Sequence, residues 1–184
     1  MPSNIVAEDW ITYRAKFSPL FEAAHDLASN RRFTYAQFDT RISAAAAYLQ
    51  GTLGVNRGER VAVMSMNDSD VFEIQFACQR IGAIFLPLNW RLAVPELEFI
   101  CNDATPTVLV CGSEFEEAGR DVAKRSAIAH FVTLANGQPS DYEAGLAAAG
   151  GAFTRETMVT SDTWTIMYTS GTTGRPKGAL ITYQ

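Results

Sequence analysis

Apolar positions change their spacing several times along the chain, and each change marks an element. Among residues 5 to 17, Ile5, Trp10, Ile11 and Phe17 stand between polar neighbours, which fits a short surface helix ending before Pro19. Ser29-Asn30 then separates Ala23–Ala28 from Arg31–Phe33 and predicts a hairpin. Thr34-Tyr35-Ala36-Gln37 has the form of a capping box, and Phe38, Ile42, Ala45, Leu49 and Leu53 follow at spacings of three and four. This predicts a helix stopped by Gly54, with Ala44–Ala47 as packing residues inside it.

Val61–Met64 is a continuous apolar run of strand length, as in an inner strand of a parallel sheet. Asn67-Asp68-Ser69-Asp70 supplies a cap and an acidic first turn for a helix with Val71, Ile74, Cys78 and Ile81 on one face. That role accounts for both aspartates without a metal. Ala83–Pro87 reads as a short buried strand, and Pro95 as the first position of a helix to Cys101. Thr107–Cys111 and Phe131–Leu134 read as strands around a helix over Glu114–Arg125. Helix-length crossovers between apolar strands imply parallel pairing, so the fold class expected is α/β, a mostly parallel sheet flanked by helices on both faces. Residues 136–162, broken by Asn136, Gly137, Pro139, Gly145, Gly150 and Gly151, read as a linker carrying one helical piece around Tyr142–Ala149. The organisation expected is 1–135 as an α/β unit, 136–162 as linker, and 163–184 as a strand–loop–strand hairpin that opens the next unit.

Composition narrows the function classes. With 47% hydrophobic residues in 184, the chain can bury a core, and its net charge of −5 with pI near 5.0 argues against general nucleic-acid binding. Any anion site must be local. Cys78, Cys101 and Cys111 are odd in number and set in apolar stretches, which indicates buried free thiols rather than a disulfide framework or a zinc site. His25 has no second ligand type beside it and reads as structural. No leader pattern and no run of about 18 apolar residues is present, so a cytoplasmic protein without a transmembrane segment is expected.

The chemistry concentrates between the apolar runs Trp164–Tyr168 and Ala179–Ile181. Thr169, Ser170, Thr172 and Thr173 bring hydroxyls, Gly171, Gly174 and Gly178 let the backbone approach a ligand, and Lys177 adds a mobile charge. That combination suits a polyphosphate gripped by backbone N–H groups and hydroxyls. The P-loop pattern Gly-x-x-x-x-Gly-Lys-Ser/Thr does not fit, because Pro176 stands where its second glycine belongs and Gly178 where its magnesium-binding hydroxyl belongs.

Tyr168-Thr169-Ser170-Gly171-Thr172-Thr173-Gly174-Arg175-Pro176-Lys177-Gly178 resembles the phosphate-loop signature of the adenylate-forming superfamily of acyl-CoA synthetases, peptide-synthetase adenylation domains and luciferases. Phe33-Thr34-Tyr35 with Phe38, and Gly82-Ala83 to Pro87-Leu88-Asn89, resemble two earlier landmarks of that family. Leu88-Asn89-Trp90-Arg91-Leu92 looks most like its bacterial acyl-CoA synthetases. Trp90 and Arg91 read equally as a packed aromatic and a surface cation or as neighbours of a substrate.

The resemblance implies a carboxylate activated by ATP to an acyl-adenylate, and then acyl transfer to coenzyme A, with Mg2+ as the metal and a small carboxylic acid as substrate. It makes Thr169, Ser170, Gly171, Thr172, Thr173, Gly174 and Lys177 the ATP-phosphate residues, with Lys177 the catalytic one. It reaches from about Phe33 to Gln184 and covers only the family's N-terminal part. The chain is therefore expected to be an inactive N-terminal fragment, with adenine, ribose, magnesium and acyl contacts lying elsewhere; a homodimer is left open. Thr182-Tyr183 stands where the family often has Thr-His. Other readings are an adenylation domain of a peptide synthetase, a P-loop-type nucleotide hydrolase, and a non-catalytic α/β binding module.

Overall fold

The computed structural model of the chain describes residues 5–170 and 175–184, and of Ser170 the backbone only. Elements follow in the order α1 Trp10–Phe17, β1 Glu22–Asp26, β2 Arg31–Thr34, α2 Tyr35–Ala47, β3 Arg60–Met64, α3 Ser69–Ile81 and β4 Ile84–Pro87. Then come α4 Val94–Ala104, β5 Val108–Gly112, α5 Glu116–Arg125, β6 His130–Leu134, α6 Asp141–Ala148, β7 Thr163–Ser170 and β8 Pro176–Thr182. β1 and β2 pair as a separate antiparallel hairpin. The main sheet has six strands in the order β6-β5-β3-β4-β7-β8, parallel except for the antiparallel β7–β8 pair at its edge.

Alternation along the central strands explains why helices cover both faces. Val61 and Val63 of β3 join Phe38 and Ile42 of α2 and Ile74 of α3 in one core cluster. Ala62 and Met64 join Leu97 and Ile100 of α4 and Val122 of α5 in the other. An inner parallel strand must be apolar on both sides, which is the pattern read in Val61–Met64. The three cysteines are buried and unpaired, and burial pushes the thiols of Cys101 and Cys111 up to about 12, so neither is a thiolate at neutral pH.

Caps set the helix boundaries. Thr34 Oγ1 accepts from the Gln37 N–H at 3.3 Å while Gln37 Oε1 accepts from the Thr34 N–H at 2.9 Å, completing the box before α2. Beyond Ala47 the helix widens into one π-helical turn, Tyr48–Thr52, before Gly54. Pro95 occupies the second position of α4 rather than the first, and the helix runs on to Ala104. Its missing N–H costs nothing there, since the first-turn donors have no intrahelical partner. Ala93 closes that end by donating its N–H to Glu96 Oε2 at 2.9 Å.

Charged side chains tie the peripheral pieces to this core. Arg41 of α2 donates to Glu73 of α3 at 2.6 Å and to Glu143 of α6 at 2.7 Å, and Arg31 of β2 lies 2.8 Å from Asp70 of α3. The buried Tyr142 hydroxyl donates to the other Glu73 oxygen at 3.1 Å. α6, within the stretch read as linker, is thus packed against α2 and α3. It lies flat on the π turn because a Cβ at Gly145 would stand 2.4 Å from Tyr48 Cζ. α1 buries no residue of its own and is held by its N-cap Asp9, which accepts from Arg80 and Arg155, each at 2.8 Å.

Asp68 Oδ1 caps α3 by accepting from the Val71 N–H at 3.0 Å. Burial and the neighbouring Asp70 charge push its carboxyl up to about 6. A carboxyl whose folded pKa is raised stabilises the fold below its unfolded value near 4, and that contribution is lost as pH rises through about 6. Asp68→Asn keeps a capping oxygen and removes the charge. The variant should gain about 1 kcal/mol at pH 7.5, allowing for solvent screening, and nothing at pH 4; urea denaturation at the two pH values reads the difference.

Candidate active site

β7 and β8 form the hairpin expected around the glycine-rich stretch. Their register sets Met167 opposite Ala179, Tyr168 opposite Gly178, Thr169 opposite Lys177 and Ser170 opposite Pro176. Because side chains alternate across a sheet, Thr169 and Lys177 share one face and Tyr168 and Gly178 the other. Thr169 and Lys177, both exposed, are therefore brought together at the open end of the hairpin. Gly171, Thr172, Thr173 and Gly174, together with the Ser170 side chain, lie outside the described residues.

β7 runs parallel to β4, so its end at Ser170 lies on the same sheet edge as the segments that follow β3, β4 and β5. Ligands of open α/β sheets bind along that carboxyl edge. Trp90 follows β4 there and stacks on Phe115, which follows β5, with centroids 5.0 Å apart and planes inclined by 21°. Arg91 lies over the Trp90 ring with Cζ 3.9 Å from its centroid. Trp90 is thus a packed aromatic and Arg91 an exposed cation resting on it.

The other face of the hairpin meets α4. The Tyr168 hydroxyl donates to Asp103, and Ile166 and Tyr168 pack on the cluster that α4 and α5 build. Burial, reinforced by the Asp103 carboxylate, holds the phenol well above its ordinary value, so Tyr168 remains a donor at neutral pH. Gly178 is also closely packed, as composition did not reveal: a Cβ there would stand 3.0 Å from Ile166 Cγ2 and 3.1 Å from Tyr168 Cζ, tight enough that both side chains would have to shift. Tyr183 stacks on Trp164 of β7 at 5.6 Å. His25, read as structural, faces Asn30 Oδ1 at 3.0 Å across its own turn.

The sequence pattern described as AMP-binding enzyme matches residues 12–184. The chain belongs to the AMP-binding enzyme family. It is 36% identical over 178 residues to the indoleacetate–CoA ligase of Aromatoleum aromaticum and 34% identical over 177 residues to a feruloyl-CoA synthase of an Amycolatopsis species. These alignments cover 94% and 95% of this chain but 34% and 33% of the relatives. This AMP-binding chain thus spans about a third of the length of the curated relatives it matches. MatB of Rhodopseudomonas palustris, solved with ATP bound, superposes with a TM-score of 0.74 at 26% identity over 94% of this chain and 35% of that one. Among the described residues no helix is long and apolar enough to cross a membrane, and no three His, Cys, Asp or Glu side chains are grouped to hold a metal.

Proposed function

We propose that the chain is the N-terminal part of an ATP-dependent carboxylate–CoA ligase and that its hairpin loop grips the ATP phosphates. The observation that carries this is the Thr169–Lys177 pair on one face at the open end of β7–β8, flanking the glycine- and threonine-rich stretch. Thr169, Ser170, Gly171, Thr172, Thr173 and Gly174 supply hydroxyls and backbone N–H groups to the β- and γ-phosphates, and Lys177 supplies charge. A carboxylate oxygen attacks the α-phosphorus, the bond to the bridging oxygen breaks, and pyrophosphate leaves. Coenzyme A thiolate then attacks the acyl carbon and AMP leaves. The loop's part is to hold the polyphosphate in line and to stabilise the charge that builds on the departing pyrophosphate.

Relatives named as CoA ligases favour coenzyme A as acceptor over a peptide-synthetase carrier. The test is carboxylate-dependent exchange of labelled pyrophosphate into ATP by the full-length enzyme over a panel of aromatic and fatty acids, followed by acyl-CoA formation. Exchange with no thioester on coenzyme A would turn the reading toward an adenylation domain. Phosphate release independent of any carboxylate would turn it toward a nucleotide hydrolase. The 184 residues alone should give no turnover under the same conditions, because they span a third of their relatives and leave Met167, Leu180 and Ile181 of the hairpin exposed. Equal turnover by this chain and the full-length enzyme would defeat that.

A further inference from the structure

Helix α4 touches β7 and the residue that leads into β8. Asp103 accepts from the Tyr168 hydroxyl on β7, and one turn earlier on the same helix face the Phe99 ring lies 5.9 Å below the Arg175 guanidinium, which precedes β8. The two strands also pack closely on this side, where the Tyr168 ring lies over Gly178. α4 itself is fixed at its C-terminal end. Arg60, the first residue of β3, donates to the Ala104 carbonyl at 2.6 Å and to the Thr105 carbonyl at 2.8 Å, satisfying acceptors that the helix leaves open. On its other edge β7 runs parallel to β4, in register at Phe85 and Thr165.

We infer that α4 braces the phosphate loop and that Asp103, acting through Tyr168, is a positioning residue for ATP. The inference rests on the reading of residues 169–177 as the ATP-phosphate site. With Phe85 opposite Thr165, β4 ends at Pro87 while β7 continues to Ser170, and α4 meets that continuation through Asp103 and Tyr168. Lys177 and Thr169 project from the face opposite Tyr168, so Asp103 touches no substrate and acts by fixing the plane from which they reach. Geometry misplaced by a fraction of a turn weakens phosphate contacts without abolishing them.

The experiment uses the full-length enzyme with Asp103→Ala, Asp103→Asn, Tyr168→Phe and the Asp103→Ala/Tyr168→Phe double variant. Asp103→Ala and Tyr168→Phe should each raise the KM for ATP in pyrophosphate exchange about tenfold, the scale of one lost hydrogen bond to a charged group. The double variant should match the singles, because both remove one interaction. Asp103→Asn keeps an acceptor and should recover most of the loss, and the KM for coenzyme A should not move. In the same proteins, amide hydrogen exchange across 163–182 should speed up about tenfold while β3 and β5 keep their rates. Unchanged exchange in the hairpin, or additive singles, would overturn the brace. Faster exchange with an unchanged ATP KM would overturn its positioning role. If the wild-type enzyme shows no carboxylate-dependent pyrophosphate exchange, the ligase reading falls, and the amide data still decide whether α4 holds the hairpin.

Discussion

Arg41→Met should destabilise the fold by about 3–5 kcal/mol, the cost of removing one partner from a buried ion cluster. Arg41 is the cation closest to Glu73, whose side chain is 0% exposed, and it also reaches Glu143 and, at 3.5 Å, the buried Asp70. Methionine fills much of the volume but leaves these carboxylates facing each other with Arg31 as the nearest cation. Burial, with Asp70 adding to it and Arg41 opposing it, already pushes Glu73 up to about 7. Without Arg41 that carboxyl rises further. A raised folded pKa contributes stability that is complete below the unfolded value near 4.5 and disappears as pH climbs through the folded one. The deficit of the variant should therefore be small at pH 4.5 and largest at pH 8, and denaturant titrations across that range give it directly. A deficit that does not change with pH would mean that packing, not charge, is what Arg41 provides.

Lys177→Ala should lower carboxylate-dependent pyrophosphate exchange about a hundredfold, as expected for one preorganised donor to a charged transition state. Lys177 is exposed and no ion pair is found for it among the described residues, so stability should stay within about 0.5 kcal/mol. The combination separates a ligand-binding cation from a structural one. Parallel loss of melting temperature and activity would assign Lys177 to the fold, and unchanged exchange would remove it from the site.

Local signals were legible where one stretch of chain decides the outcome. Thr34 and Gln37 announce their capping box, Asp68 its cap, and Val61–Met64 its place inside a parallel sheet, because each depends on neighbours within a few positions. The edges of elements were less so: Pro95 fits the second helical position as readily as the first, and the strand read as Thr107–Cys111 begins and ends one residue later. The ion cluster was not legible. Arg31 and Arg41 lie on adjacent elements but Glu73 and Glu143 on two others far along the chain, and apolar periodicity says nothing about charges that become buried by meeting one another. A hint existed in α3, where Asp70, Glu73 and Arg80 occupy positions beside the apolar face instead of opposite it.

The candidate site divides in the same way. Thr169 and Lys177 could be singled out as candidates because hydroxyls, glycines and a lysine in one short stretch have a common chemistry. Asp103 was not, since a lone aspartate near the end of an amphipathic helix reads as a solvated charge. Gly178 was visible but for an incomplete reason, as backbone freedom toward a ligand does not distinguish it from a seat for the Tyr168 ring.

Strand order in the sheet also dictates how the molecule is put together. β3 is the first strand of the six-stranded sheet to be synthesised and lies near its middle; β4 adds on one side of it, β5 returns past β4 to the other, and β6 adds beside β5. To reach β4 the chain crosses back over the sheet from β6 at the opposite edge, after everything from α4 to α6 has intervened, and β7 then runs parallel to β4. Such a non-local closure is slow, because its loop entropy is spent before any contact rewards it. A nascent chain on the ribosome thus holds β4 as an open strand edge until segment 163–182 arrives, and the β7–β8 hairpin then covers that edge and leaves β8 as the outer strand on this side.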